Sequence, residues 1–405
     1  MKAKTVIYPI TVVILVIIII IVTCPPGTDA LRLTDNKYIE AAPIVTPDGQ
    51  SVIFFRQVDT SKHVIQKKID TGTPEKVILN TNTRKISPSL SNVKIIDGKS
   101  YYLYCYIDGA ECEVHIVTIP LNLADSPVDN KITDMTSGSE PRAAWASRIS
   151  VNGEHIVFMS TPPPVSWNTR RQWDIAYKSN DGVVGPGVKI TNETTYDDKA
   201  VQNSPAISDG KKIIYIEYER VTPGDVENLD EIATWDIKYD STPDDGSGGA
   251  TSDIADLQQE NWLLPTPLTP LAGERILSPR EPLISANGEL IVYNSRCKLY
   301  AIDMTGDVAS PPRLIPTGSD LMVFDFNISQ NGEWIVFSAR KDLSSITHIY
   351  RIRSDGTGLR QVTSSLCEDH SPSINNEGNV IAFVRKTYMY NPLAWISNEI
   401  FVKKL

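Results

Sequence analysis

At 405 residues, 41% apolar and 22% charged, the chain has room for one large β domain or two ordinary ones, and its composition is that of a globular protein. A net charge of −10 argues against general nucleic-acid binding, which needs a basic face against phosphate. The 27 prolines and 16 tyrosines lean toward strands and turns rather than helices.

The first element is an apolar run from Val6 to Val22, preceded by Lys2 and Lys4. Such a run can just span a bilayer, and a secretory peptide needs less, so the sequence predicts export. Retained, it is a single-pass anchor with the remainder outside the cytoplasm. Cleaved after Ala30, with Thr28 three positions back, it releases a secreted protein. A third outcome is lipid attachment at Cys24, although Thr23 is large for the position before a lipidated cysteine. The chain divides into a leader of residues 1–30 and one domain over 31–405.

The domain repeats one motif, an apolar or proline-led strand, a tight turn with glycine, and a second apolar strand. It reads PIVTPDGQSVIFF at Pro43–Phe55, IIDGKSYYLYCY at Ile95–Tyr106, ISVNGEHIVFMS at Ile149–Ser160 and SPAISDGKKIIYIEY at Ser204–Tyr218. Further copies are PLISANGELIVYNS at Pro282–Ser295, NISQNGEWIVFSAR at Asn327–Arg340 and SPSINNEGNVIAFVRK at Ser371–Lys386. Glycine supplies the positive φ of such turns at Gly49, Gly98, Gly153, Gly210, Gly288, Gly332 and Gly378. Third strands follow at Trp173–Tyr177, Trp235–Tyr239, Lys298–Met304 and His348–Gly356. Short fourth strands are expected at Lys131–Thr133, Lys189–Thr191, Pro267–Thr269 and Gln361–Thr363.

Four antiparallel strands per unit, recurring about every 50 residues, describe a β-propeller blade. Seven copies predict an all-β, seven-bladed propeller, or six blades if the weak second copy is irregular. The last copy has a third strand near Asn398–Lys404 and no fourth, while LRLTD at Leu31–Asp35 is an orphan fourth strand. Joining them closes the ring and ties the chain ends together.

The unit resembles the WD40-like (PD40) repeats of the TolB-type propellers. The matching residues are Thr46-Pro47-Asp48-Gly49, Ser204-Pro205-Ala206-Ile207-Ser208-Asp209-Gly210 and Ser371-Pro372-Ser373, with His348–Gly356 and Leu359–Thr363 for the later half. The resemblance covers about Leu31 to Leu405, without the separate α/β domain that TolB itself carries. Such propellers occur as periplasmic interaction proteins, as gating domains beside serine peptidases, and in a few lyases. The resemblance therefore implies a protein- or ligand-binding scaffold at the cell envelope. A propeller enzyme (a lyase or hydrolase, with or without metal) and a purely structural envelope component are the alternatives.

In a blade, the connections from fourth to next first strand and from second to third strand share one face. Strand directions put both termini, with Lys403 and Lys404, on the opposite face, so the first face points away from a retained anchor. It carries the insertion STPPPVSWNTRRQ at Ser160–Gln172, with Trp167, Arg170 and Arg171, and crossing loops with Glu140, Arg142, Tyr196, Asp197 and Asp198. Aromatic and arginine side chains on loops above a rigid scaffold are common binding anchors for a protein or small ligand. A second long insertion on this face, Glu219–Thr234, is acidic.

Catalytic signals are sparse. No GxSxG elbow occurs, and the five histidines are dispersed. His370, within CEDHSP at Cys367–Pro372, is the sharpest candidate, because the adjacent Glu368 and Asp369 are expected to raise its pKa or help it hold a metal, with His63 and His115 as further donors. Cys105 and Cys112 flank IDGAE in a hairpin, where a disulfide is expected to compete with two reduced thiols; Cys297 with Cys367 is a weaker pairing. The acidic insertion Ser241–Glu260, containing Asp244-Asp245-Gly246, reads as a mobile loop with weak calcium-loop character and no EF-hand pattern. No cofactor is otherwise expected.

Overall fold

Short apolar runs punctuated by Asn-Gly and Asp-Gly turns fold as antiparallel hairpins, and the regular elements among the described residues are strands. The computed structural model describes residues 29–405 apart from 37, 60, 71, 82–84, 109–111, 122–124, 136–142, 162–173, 191–199, 221–231, 241–251, 257–279, 296, 307, 343–344 and 390–394. Strands pair in chain order within each unit, as in Ala143–Ile149, His155–Thr161, Asp174–Ser179 and Val188–Lys189, and again in Met322–Ile328, Trp334–Arg340, His348–Arg353 and Arg360–Gln361. The chain is all-β with a propeller-like arrangement. Second strands are apolar on both faces because both are covered: Ile335, Val336 and Phe337 are wholly buried in succession. The core is a series of seams between neighbouring sheets; in one, Leu103, Cys105 and Ile107 meet Ile156 and Phe158.

The chain ends meet as expected. Leu31 pairs with Val402 and Arg32 with Phe401, on the outer edge of the strand Trp395–Lys404. Beyond Arg32 the chain continues without ladder geometry, but the amides of Leu33 and Thr34 both donate to the Ile400 carbonyl.

Two features of the repeat gain a physical meaning. A hydroxyl or amide oxygen before each turn accepts from the amide opening the second strand: Thr46 from Ser51, Ser150 from His155, Ser208 from Lys212, Ser285 from Leu290, Ser329 from Trp334 and Asn375 from Val380. Each first strand also carries a β-bulge, between Ala41 and Ile44, Ile86 and Ser89, Trp145 and Arg148, Asn203 and Ala206, Arg280 and Leu283, Val323 and Phe326, and His370 and Ser373. Pro43, Pro88, Pro205, Pro282 and Pro372 sit inside these bulges, where proline forfeits no ladder hydrogen bond.

Several sequence expectations need correction. In the second copy the first strand is Lys85–Leu90, and the Asp-Gly turn belongs to an added hairpin, Lys94–Ile96 against Lys99–Asp108. Its strong local turn signal masked the Ser87-Pro88 bulge upstream. In the fourth copy Lys211, not Gly210, takes the positive φ, at 63°. The fourth strand of that copy is Ser252–Asp256, paired with Ile232–Asp240, inside the stretch expected to be a mobile acidic loop. Backbone pairing along Ile232–Asp240 outweighs the local acidity. Pro267–Thr269 and the calcium candidates Asp244 and Asp245 lie outside the described residues.

Candidate functional site

The bulge of the strand Asp369–Ile374 builds the candidate site. Ser371 sits there at φ 50°, a left-handed conformation costly for a residue with a Cβ. Its amide donates to Asp325 Oδ2 at 3.2 Å, and the Asp325 amide in turn donates to Ser338 Oγ at 3.1 Å. Asp325 occupies the bulge position where five other copies have proline. Sequence reading missed it, although that departure from the repeat was visible.

His370 Nδ1 lies 3.1 Å from Ser371 Oγ, while its Nε2 is buried without a hydrogen bond. Burial lowers the His370 pKa, and the opposing pull of Asp325 does not reverse this. Glu368 and Asp369 do pull it upward, as expected, but burial outweighs them, and both acids are also held by basic partners. Asp369 is held by Arg385 through Nε at 2.6 Å and Nη2 at 2.9 Å, and Glu368 by Lys386 Nζ at 2.5 Å. Cross-strand register enforces the first pair, since Asp369 stands directly opposite Arg385.

His63 and His115 do not join His370. They lie on the third strands Ser61–Lys68 and Glu113–Pro120 of the first and second units, where His115 stacks on Tyr106 at 5.4 Å and meets Asp129 at 3.3 Å. Among the described residues no group of three or more metal-ligating side chains converges. His155 Nδ1 is 3.0 Å from the Tyr177 hydroxyl, a packing role.

Cys105 and Cys112 are thiols, not a disulfide. Cys105 pairs in register with Ile116, four positions from Cys112, a gap of roughly 13 Å along a strand. Burial pushes the Cys105 thiol up to about 12, and Ser147 Oγ lies 3.5 Å away. Cys297 also keeps its thiol, so it does not bond to Cys367.

Glu140, Arg142, Trp167, Arg170, Arg171, Tyr196, Asp197 and Asp198 lie outside the described residues, as do Cys24 and the apolar run Val6–Val22. The described strands on either side of 162–173, His155–Thr161 and Asp174–Ser179, are the second and third of one sheet. Among the described residues no helix is long and apolar enough to cross a membrane.

No protein-family model matches the chain, and no curated protein matches it. Solved structures do. An oligogalacturonate lyase in complex with manganese has a TM-score of 0.60 at 10% identity, covering 92% of each chain. The β-propeller domain of the Trilobed protease from Pyrococcus furiosus has a TM-score of 0.51 at 10% identity, covering 89% of this chain and 97% of that one. A TolB-like structure from Agrobacterium tumefaciens is 15% identical, with a TM-score of 0.42, covering 82% and 94%. The chain has a β-propeller fold like those of the lyase and of the protease domain, and at these identities the likeness is one of fold.

Proposed function

We propose that the protein is an exported, membrane-anchored, seven-bladed propeller serving as a binding scaffold at the cell envelope. Seven bulged first strands support the blade count, as does the pairing of Leu31–Arg32 with the last unit. The ligand, a protein or small molecule, engages the face formed by the second-to-third and fourth-to-first connections, through Trp167, Arg170 and Arg171 with Glu140, Arg142, Tyr196, Asp197 and Asp198. One observation carries the preference for binding over catalysis. The acids beside His370 are spent in ion pairs with Arg385 and Lys386, so they serve as framework rather than as proton carriers.

Affinity capture from solubilised membranes tests the reading, with the wild-type chain against a Trp167→Ala/Arg170→Ala/Arg171→Ala variant. A partner retained by the first and lost by the second is expected. Equal capture by both overturns the surface assigned.

An enzymatic reading keeps one specific support, the buried Nε2 of His370 without a partner beside the strained Ser371. Turnover of an acidic oligosaccharide that disappears in His370→Ala would favour it. The anchor and the location outside the cytoplasm belong to the same proposal, supported by the apolar run Val6–Val22 after Lys2 and Lys4.

A further inference from the structure

Register places three arginines and a tryptophan on one face of a single sheet. Trp334 stands opposite Arg353, and Arg351 stands opposite Arg360 on the short outer strand. Arg351 and Arg353, two residues apart, share that face. It is the face turned to the last unit, because Val336, opposite Arg351, packs in the seam with Phe383 and Phe401.

The guanidinium of Arg351 lies 4.0 Å from the Trp334 ring centroid and that of Arg353 4.4 Å. Arg351 Nη1 donates to the Gly378 carbonyl at 2.5 Å, which fixes its orientation. Its Nε is buried and makes no hydrogen bond. Arg353 and Arg360 are exposed, so the cluster opens to solvent at the rim.

Like charges directly opposed across a strand pair repel, and desolvation adds to the cost. The Arg351 pKa is lowered first by burial and then by Arg360 and Arg353. Among the described residues no carboxylate forms an ion pair with any of the three. Asp355, whose field Arg353 shares, is occupied by Thr357, accepting from its amide at 2.8 Å and its hydroxyl at 2.7 Å. Nearby Arg313 has the opposite arrangement, a two-pronged pair with Asp303 at 2.8 and 3.0 Å. A chain of net charge −10 thus keeps three arginines together with no direct ion pair, two of them over an aromatic platform.

We propose that Arg351, Arg353 and Arg360, braced on Trp334, form a binding site for an oxyanion, a carboxylate or phosphate group presented by a ligand. The planar forks of arginine match both groups, and a buried, preoriented donor binds them with little loss of side-chain entropy. The site is separate from His370 and shares no residue with the proposed binding loops.

Calorimetric titration of the full chain with inorganic phosphate, and separately with a triglutamate peptide, tests it at low and high salt. Saturation by at least one probe is expected at one per chain, weakened about tenfold or more in Arg353→Gln/Arg360→Gln and weakened by salt. Saturation by phosphate alone assigns a phosphate-bearing ligand, by the peptide alone a carboxylate-bearing one, and by both the shared oxyanion chemistry. The thermal transition of the glutamine variant is expected at or above that of the wild type, because repulsion is relieved. Should that variant not fold, Arg353→Lys/Arg360→Lys replaces it; this keeps the charge, loses the fork, and is expected to bind more weakly than the wild type. Saturation by neither probe, or binding unchanged in the folded variant, overturns the proposal.

Discussion

Arg385 and Asp369 face each other across the first two strands of the last unit as a fully buried, two-pronged ion pair. The Arg385 guanidinium also lies over the Phe401 ring at 4.5 Å and the Phe383 ring at 5.3 Å. Its Nη1 makes no hydrogen bond and lies 3.6 Å from Asp29 Oδ1, just before the closing strand. The pair joins the first two strands of the last unit to the point where the chain ends meet.

Removing one partner leaves the other charge buried and unpaired, which costs about 3–5 kcal/mol. Arg385→Met and Asp369→Leu are each expected to lower the urea midpoint strongly. The double variant, which strands neither member of the pair, is expected to lie above either single one, and a double-mutant cycle reads the difference.

The closing strand depends on a second such contact. Arg32 reaches the fully buried Glu399 through Nε at 2.7 Å and Nη2 at 2.5 Å. Arg32→Ala is expected to cost about 1–3 kcal/mol by stranding that carboxylate. Hydrogen exchange should quicken first at Leu33 and Thr34, whose amides hold the strand to Ile400.

Two turn glycines separate backbone strain from crowding. Gly378 has φ 71°, and a Cβ there would overlap the Trp334 indole; Gly98 has φ 73° and open space around it. Gly98→Ala should therefore cost about 1–2 kcal/mol from backbone strain alone. Gly378→Ala adds overpacking of about 1–3 kcal/mol. Thermal unfolding of the two variants compares them directly.

His348 and His370 both have pKa values lowered by burial. The unfolded chain, with histidines near 6.5, takes up protons that the folded chain refuses. Their contribution is thus fully present above about pH 6.5 and lost as pH falls below it. The melting temperature is expected to drop on acidification through that window, and His370→Gln to flatten the drop. An unchanged profile would show that the imidazole is not protected.

Much of this architecture was legible in residue order. Asn-Gly and Asp-Gly turns between apolar runs marked the hairpins, and Leu31–Asp35 marked the closure, because both signals are local. The second copy misled for the same reason: its turn at Asp97-Gly98 is genuine but belongs to an added hairpin. The strand Ser252–Asp256 was hidden by acidic neighbours, since its stability comes from pairing with Ile232–Asp240 rather than from its own composition. At the candidate site the sequence pointed to His370 and overlooked Asp325. Proximity in the chain made Glu368 and Asp369 look like partners of the imidazole, whereas strand alternation turned them to Lys386 and Arg385.

The sequence alone determined that the chain would form repeated hairpins of four strands and that its first strand would be borrowed by its last unit, because turn chemistry and hydrophobic period act over a few residues. Tertiary structure alone decided which charges meet. Register sets Asp369 against Arg385 and gathers Arg351, Arg353 and Arg360 around Trp334, since cross-strand neighbours are fixed by pairing and by the packing of adjacent sheets.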